Sequence, residues 1–310
     1  MSVTARASAW LAGIAICGLL ACAQGAPPPA DRQVAPSNGP LLWRAEAPNG
    51  RGACYLLGSV HLGDRQMLEA SDAIAAAYDS SDELVVEIDL STLDPIQAQE
   101  TTLRFAMLPG GKTVADVVSE ETWLALTTYL DGRSIPRDPI VRMKPWFVSF
   151  TVVRVELARA GYDAGLGVDR HFIDEAVDSK PIVALETLDS QFEVLDSMSP
   201  EVEELMLADA LSRVDEVADN TDELIRAWGQ GDEERLQALV FDPLGEAPEL
   251  EVFYERVFFE RNRKMTARLV ELARDGKTRF VVLGAGHMLG DEGIPELLAR
   301  RGWGVRRIAP

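Results

Sequence analysis

The sequence predicts an α/β fold: a mostly parallel central sheet flanked by helices, with a large helical insertion. Three observations predict it. Short apolar runs rich in β-branched residues recur along the chain, in the manner of parallel strands buried on both faces. Helical stretches lie between them, as in strand-helix-strand units. Two of the runs, near opposite ends of the chain, finish alike: "CYLLGSVHLGD" and "FVVLGAGHMLGDEG" each stop at a glycine, with a histidine three residues later.

Residues 1–21 read as a signal peptide. Arg6 precedes an apolar stretch from Ala9 to Ala21, too short for a membrane span. The end, "LLAC", looks like a bacterial lipobox. Cleavage before Cys22 would leave a lipidated cysteine on the periplasmic side of the envelope. Ordinary cleavage with Cys22 discarded is the alternative. Residues 22–40, Pro- and Ala-rich, form a flexible tether. The folded domain then spans 41–310. Of the three cysteines only Cys54 belongs to it, as a small buried hydrophobe.

The expected strands are 53–60, 83–89, 181–186, 279–285 and, at the C-terminus, 304–308. A helix in "RQMLEASDAIAAAYDS" joins the first two. Pro95–Ala106, Val114–Leu130 and Pro145–Ala160 form the insertion, about 92–162, with Pro145 in a first helical turn and Gly161 as a stop. Further helices are expected at Asp169–Val177, across 200–240, from Val252 to Ala273 as one long helix, and at Glu296–Arg301. With 47% hydrophobic and 26% charged residues, 310 residues can bury a substantial core. A net charge of -20 argues against nucleic acid and anionic lipid as partners.

Sites in open α/β sheets form beyond the carboxyl ends of the strands. Here those ends carry His61, Glu87 (with Asp89 after it), Glu186 and His287. If the strands are neighbours, two imidazoles and two carboxylates meet. Such groups suit a divalent ion: two His and one Glu make an open catalytic set, and a second carboxylate can move the proton. Singly, each has a structural reading. Glu87 can be a solvated strand end, and Glu186 a cap for the turn before "TLDSQ". The conjunction, which uses two of only three histidines, favours the site. His171 reads as a packing or capping histidine early in a helix whose first turn includes Asp169. Arg261 and Asn262, mid-helix, read as surface polar residues, or Arg261 holds a substrate carboxylate or pairs with a strand-end acid. "KPW", 144–146, starts a helix with a buried Trp.

The segments "YLLGSVH", "LVVEID", "KPW", "GVDRHF", "ALET", "AWGQGD", "ERNRKM" and "FVVLGAGHMLGDEGIPELL" occur in an order that resembles the TraB/GumN family, bacterial relatives of the Tiki proteins. The resemblance covers nearly all of 41–310. It implies an α/β core shared with erythromycin esterase and ChaN-like proteins. It also implies a metal-dependent protease with manganese or cobalt (zinc is the further option), and metal ligands His61, Glu87 and His287. Arg261 matches an arginine typical of the family; Glu186 and Asp169 match characteristic positions. The expected function is a cell-envelope, metal-dependent hydrolase acting on peptide or protein, with Glu186 and Arg261 in catalysis. The alternatives are a haem- or ligand-binding protein and an envelope scaffold without catalysis.

Overall fold

Four of the six strands of one sheet run parallel. In the computed structural model, which describes residues 41–61, 72–241 and 249–308, the strands are β1 (Leu42–Glu46), β2 (Ala53–Ser59), β3 (Glu83–Val86), β4 (Ile182–Ala184), β5 (Thr278–Gly284) and β6 (Gly304–Arg307). Their order is β4-β3-β5-β2-β1-β6. β2, β5, β3 and β4 pair in parallel, and β1 is antiparallel to both β2 and β6. The mostly parallel α/β architecture thus stands as expected. The signal peptide, the tether, Cys22 and the glycine and aspartate after His61 lie outside the described residues.

β5 is the last strand of the parallel core in sequence, yet it inserts between β2 and β3. The register pairs Ser59 with Gly284 and Val86 with Val282. One residue past β3 and two past β2 therefore reach the same edge as the turn after β5. β5 can occupy this central place because all but its first residue are buried, as a strand covered on both faces requires. On one face Tyr78 and Phe172 pack on Phe280, with ring centroids 5.5 and 4.8 Å away. Cys54 is buried, as a small hydrophobe should be, and burial pushes its thiol up to about 12.

Helix α1 (Asp72–Asp79) joins β2 to β3. Between β3 and β4 run α2 (Pro95–Ala106), α3 (Glu120–Gly132), α4 (Pro145–Arg159) and α5 (Val168–Ala176). Pro145 does stand in the first turn of α4, and Trp146 is buried among Phe147, Phe150 and Phe192. The helix expected from Val114 starts only at Glu120. A short 3₁₀ turn occupies Val114–Asp116, and Ser119 caps α3 by accepting from the Thr122 N–H.

Between β4 and β5 run α6 (Leu188–Asp196), α7 (Pro200–Ser212), α8 (Val217–Gln230), α9 (Glu233–Phe241), α10 (Glu249–Tyr254) and α11 (Glu260–Leu272). The long helix expected from Val252 to Ala273 is continuous but not uniform: a π-helical turn, Glu255–Phe259, links α10 to α11. α12 (Ile294–Ala299) leads into β6. A short helix at Arg137–Ile140 was not anticipated, nor were two elements nearer the site. β1 is a short strand ahead of the first Gly-x-x-His unit, and α6 follows directly on Glu186.

The end of β2 is pinned from the helical layer. The Trp228 indole N–H, near the C-terminus of α8, donates to the Gly58 carbonyl at 2.6 Å in a fully buried contact. Gly58 itself admits no larger residue comfortably, since a Cβ there would lie 3.3 Å from Ala285 and Met288. Trp228→Phe keeps an aromatic ring but removes the donor, and the stranded carbonyl costs about 1–3 kcal/mol, to which the space left by the smaller ring adds. Urea unfolding should show that loss; an unchanged midpoint would mean the carbonyl finds another donor.

Candidate functional site

His61, Glu87 and His287 converge at Gly284. A Cβ built on Gly284 would lie 3.3 Å from Glu87 Oε1, 3.5 Å from His61 Nε2 and 3.6 Å from His287 Cδ2. The glycine leaves open the space that the three side chains surround. All three are sheltered, with His61 9% and His287 2% exposed.

His61 is fixed by α5. The Val168 N–H donates to the Val60 carbonyl at 3.0 Å, and a Cβ on Gly167 would lie 2.8 Å from the His61 carbonyl oxygen. The sequence "GLGVD" therefore lets the start of α5 lie against the end of β2. This sets Asp169 Oδ1 3.0 Å from His61 Nδ1. His287 sits in a 3₁₀ turn after β5, where its Nδ1 is 2.5 Å from Asn262 Oδ1. Phe258 packs on its ring with centroids 5.4 Å apart. Gly286 makes room for that phenyl, since a Cβ there would meet it at 2.5 Å.

Glu87 accepts the Gly284 N–H on Oε1 at 2.8 Å. Its Oε2 accepts from Arg261 Nη2 at 2.7 Å and from Gln191 Nε2 at 3.1 Å. Glu186 takes the other side of the same guanidinium: Nε donates to Oε1 at 2.9 Å and Nη2 to Oε2 at 2.6 Å, with Gln191 Nε2 on Oε2 at 2.8 Å. Arg261 Nη1 donates to the Val257 carbonyl at 3.0 Å. Of the readings open for Arg261, pairing with the strand-end acids is what the geometry displays. Glu87 is not a solvated strand end and Glu186 is not a cap: Thr187 and Ser190 form the capping box of α6. That box positions Gln191 one turn in.

Arg261 and Asn262 are 5% and 1% exposed, so the surface reading fails for both. The buried positions of α11 recur as 261, 262, 265, 266 and 269, one face of the helix. His171 lies apart, packed edge-on against Phe172 and 3.3 Å from Glu175, as a packing histidine. Beside Glu186 opens a cavity of about 270 Å³, bounded by Ile88, Thr92, Gln97, Ala184 and Leu188. Gln191 was missed in the sequence because α6 was. The signal for it was present: "TLDS" directly after an apolar run is a helix start.

The electrostatics follow from burial. Burial alone would push Glu87 up, but His287, Arg261, His61 and the Gly284 amide outweigh it and hold the carboxyl down to about 2. Burial, then Arg261, pushes His287 down to about 4. His287 is thus neutral near pH 7, so the permanent cation Arg261 and the Gly284 N–H keep Glu87 ionised there. Neutral imidazole and carboxylate are donors of the right kind for a borderline divalent ion. Among the described residues, however, no three His, Cys, Asp or Glu side chains stand drawn together as a ready metal cluster.

Both shifts have the same sign. An unfolded chain binds protons that folded His287 and Glu87 do not, so stability falls with falling pH. The expected windows are pH 6.5 to about 4 for His287 and 4.5 to about 2 for Glu87. Urea midpoints of metal-free protein across these ranges check this. His287→Gln should flatten the upper window; an unaltered slope would remove His287 as its source.

Known proteins extend this description. The chain is similar to the uncharacterized protein YbaP of Shigella flexneri, 22% identical over 251 residues, 80% of this chain and 89% of the relative. YbaP of Escherichia coli (strain K12) is 22% identical over 246 residues, 79% and 87% of the two chains. An uncharacterized protein of Treponema pallidum (strain Nichols) is 20% identical over 277 residues, 84% and 80% of the two chains. No solved structure matches the chain significantly. A family match runs over residues 41–307, from the residue before β1 through the last strand, and by that match the chain belongs to the TraB/PrgY/gumN family.

Proposed function

We propose that the chain is a metal-dependent hydrolase of the cell envelope, acting on peptide or protein, with His61, Glu87 and His287 as metal ligands. The observation that carries the reading is the convergence of these three side chains at Gly284, with Nδ1 of His287 hydrogen-bonded to Asn262 and Nδ1 of His61 lying 3.0 Å from the Asp169 carboxylate. Metal-ligating histidines characteristically have the second nitrogen engaged in this way. The favoured ions are manganese and cobalt, with zinc as the further option. A divalent ion there would supply electrophilic polarisation of a scissile carbonyl.

The chain's own residues supply the rest. His61 and His287 offer Nε2, and Glu87 offers Oε1 while its Oε2 stays on Arg261. Glu186 borders the cavity and is the proton acceptor of this scheme. Arg261 orients it through the two-point contact on Oε1 and Oε2 and keeps the two carboxylates from repelling one another. The cavity gives a substrate backbone access to Glu186 from the α2–α6 side. The envelope location rests on the leader-like residues 1–22, with a lipid anchor at Cys22 as the form proposed.

Elemental analysis after loading with manganese, cobalt or zinc tests the ligand set. His61→Ala and His287→Ala should each abolish tight binding with circular dichroism unchanged. Full occupancy in both variants would sink the assignment. Glu87→Gln should weaken metal affinity, because an amide is a poorer ligand than a carboxylate.

Glu186→Gln should keep the metal and lower peptide turnover roughly 10²- to 10⁴-fold, the loss expected when a general base is removed. Normal turnover would take Glu186 out of the mechanism. No cleavage of a broad peptide library by metal-loaded parent protein would favour a ligand-binding role instead.

A further inference from the structure

We propose that Asn262 is a positioning residue: it holds His287 as the tautomer protonated on Nδ1, so that the Nε2 lone pair faces Glu87. Donor and acceptor roles alone require this tautomer. Asn262 Nδ2 lies 2.7 Å from the Glu292 carbonyl oxygen. A carbonyl only accepts, so the amide nitrogen must be the end that faces it. The amide oxygen is then the end that faces His287, at 2.5 Å from Nδ1. That oxygen also only accepts, so Nδ1 must carry the hydrogen. A neutral imidazole has one N–H, which leaves Nε2 bare.

A competing pull exists. His287 Nε2 is 3.8 Å from Glu87 Oε1, and a carboxylate there would favour a hydrogen on Nε2. The distances decide between them. An N···O separation of 2.5 Å is a short hydrogen bond, whereas 3.8 Å is beyond hydrogen-bond range. Burial strengthens the choice, because Asn262 is 1% exposed and a misdirected buried donor would be left unsatisfied. Asn262 also clips the loop after β5 at two points, residues 287 and 292.

The use of the bare Nε2 as a ligand rests on the metal reading above; the tautomer does not. The test is ¹⁵N spectroscopy of the imidazoles in full-length, metal-free protein near neutral pH. Wild-type His287 should show a protonated Nδ1 and an unprotonated Nε2. Asn262→Ala should move the population toward protonated Nε2. Asn262→Asp should restore protonated Nδ1, because a carboxylate accepts as the amide oxygen does. A loop-clipping role alone would give no such rescue.

Protonated Nε2 in wild type overturns the proposal without any variant, and so does an unchanged spectrum in Asn262→Ala. If that variant does not fold, Asn262→Asp decides: protonated Nε2 there overturns the proposal. Cobalt titration supplies the second readout, with affinity expected to drop roughly 10- to 100-fold in Asn262→Ala and to recover in Asn262→Asp. Wild-type protein that binds none of cobalt, manganese and zinc overturns the metal reading alone, and the spectra still decide the tautomer.

Discussion

The site depends on one buried cation. Arg261 is lodged between Glu87 and Glu186, which leave the ends of adjacent strands β3 and β4. Desolvating a guanidinium costs several kcal/mol, and two carboxylates offset that cost only when the geometry is good. Here it is good: the donors lie at 2.6–2.9 Å, and a backbone bond from Glu186 N to the Glu87 carbonyl at 2.9 Å sets the strand ends in register. With Oε2 of Glu87 committed to Arg261, Oε1 is turned to the Gly284 amide and toward both histidines. The ion pair thus contributes orientation at least as much as stability.

Arg261 reaches that position because the helix carrying it is locally unwound. From Phe253 to Thr266 the buried residues fall in pairs at a spacing of four: 253 and 254, 257 and 258, 261 and 262, 265 and 266. An α-helix turns about 100° per residue, so a four-residue repeat drifts by ~40° each time. A π turn at Glu255–Phe259 absorbs that drift within a single continuous helix. It keeps Phe258, Arg261 and Asn262 on one face, where they meet His287, the glutamates and the loop after β5. The turn serves the function of the helix rather than disturbing it.

This explains what the sequence could and could not reveal. The buried strands were legible because both-sided burial leaves long apolar runs, and the strand-end glutamates and histidines were legible because the sheet aims them at one edge. β4 was harder: it is three residues long and only half-buried, at the sheet edge. β1 escaped because five residues ahead of a stronger strand carry little periodic signal. Asn262 escaped for a different reason. A polar residue in a helix is ordinarily solvated, and only tertiary contact with a loop twenty-five residues away shows it to be buried. The four-residue spacing of the apolar positions before it was the available clue, and it implies a departure from regular α geometry.

The two Gly-x-x-His units are alike in sequence but not in support. His61 faces a carboxylate, Asp169 Oδ1 at 3.0 Å, while His287 faces a neutral amide, Asn262 Oδ1 at 2.5 Å. A carboxylate behind an imidazole raises its basicity and stabilises positive charge on it; an amide fixes orientation without adding charge. The difference follows burial. His287 is deeper, and burial together with the nearby Arg261 already disfavours positive charge on it. His61 stands nearer the surface, where a further carboxylate can be solvated, since Asp169 keeps 15% of its side chain exposed. The pair therefore combines one imidazole set beside a carboxylate with one hydrogen-bonded to an amide. That asymmetry comes from α5 and α11, the helices that flank the sheet, and not from the look-alike strand ends themselves.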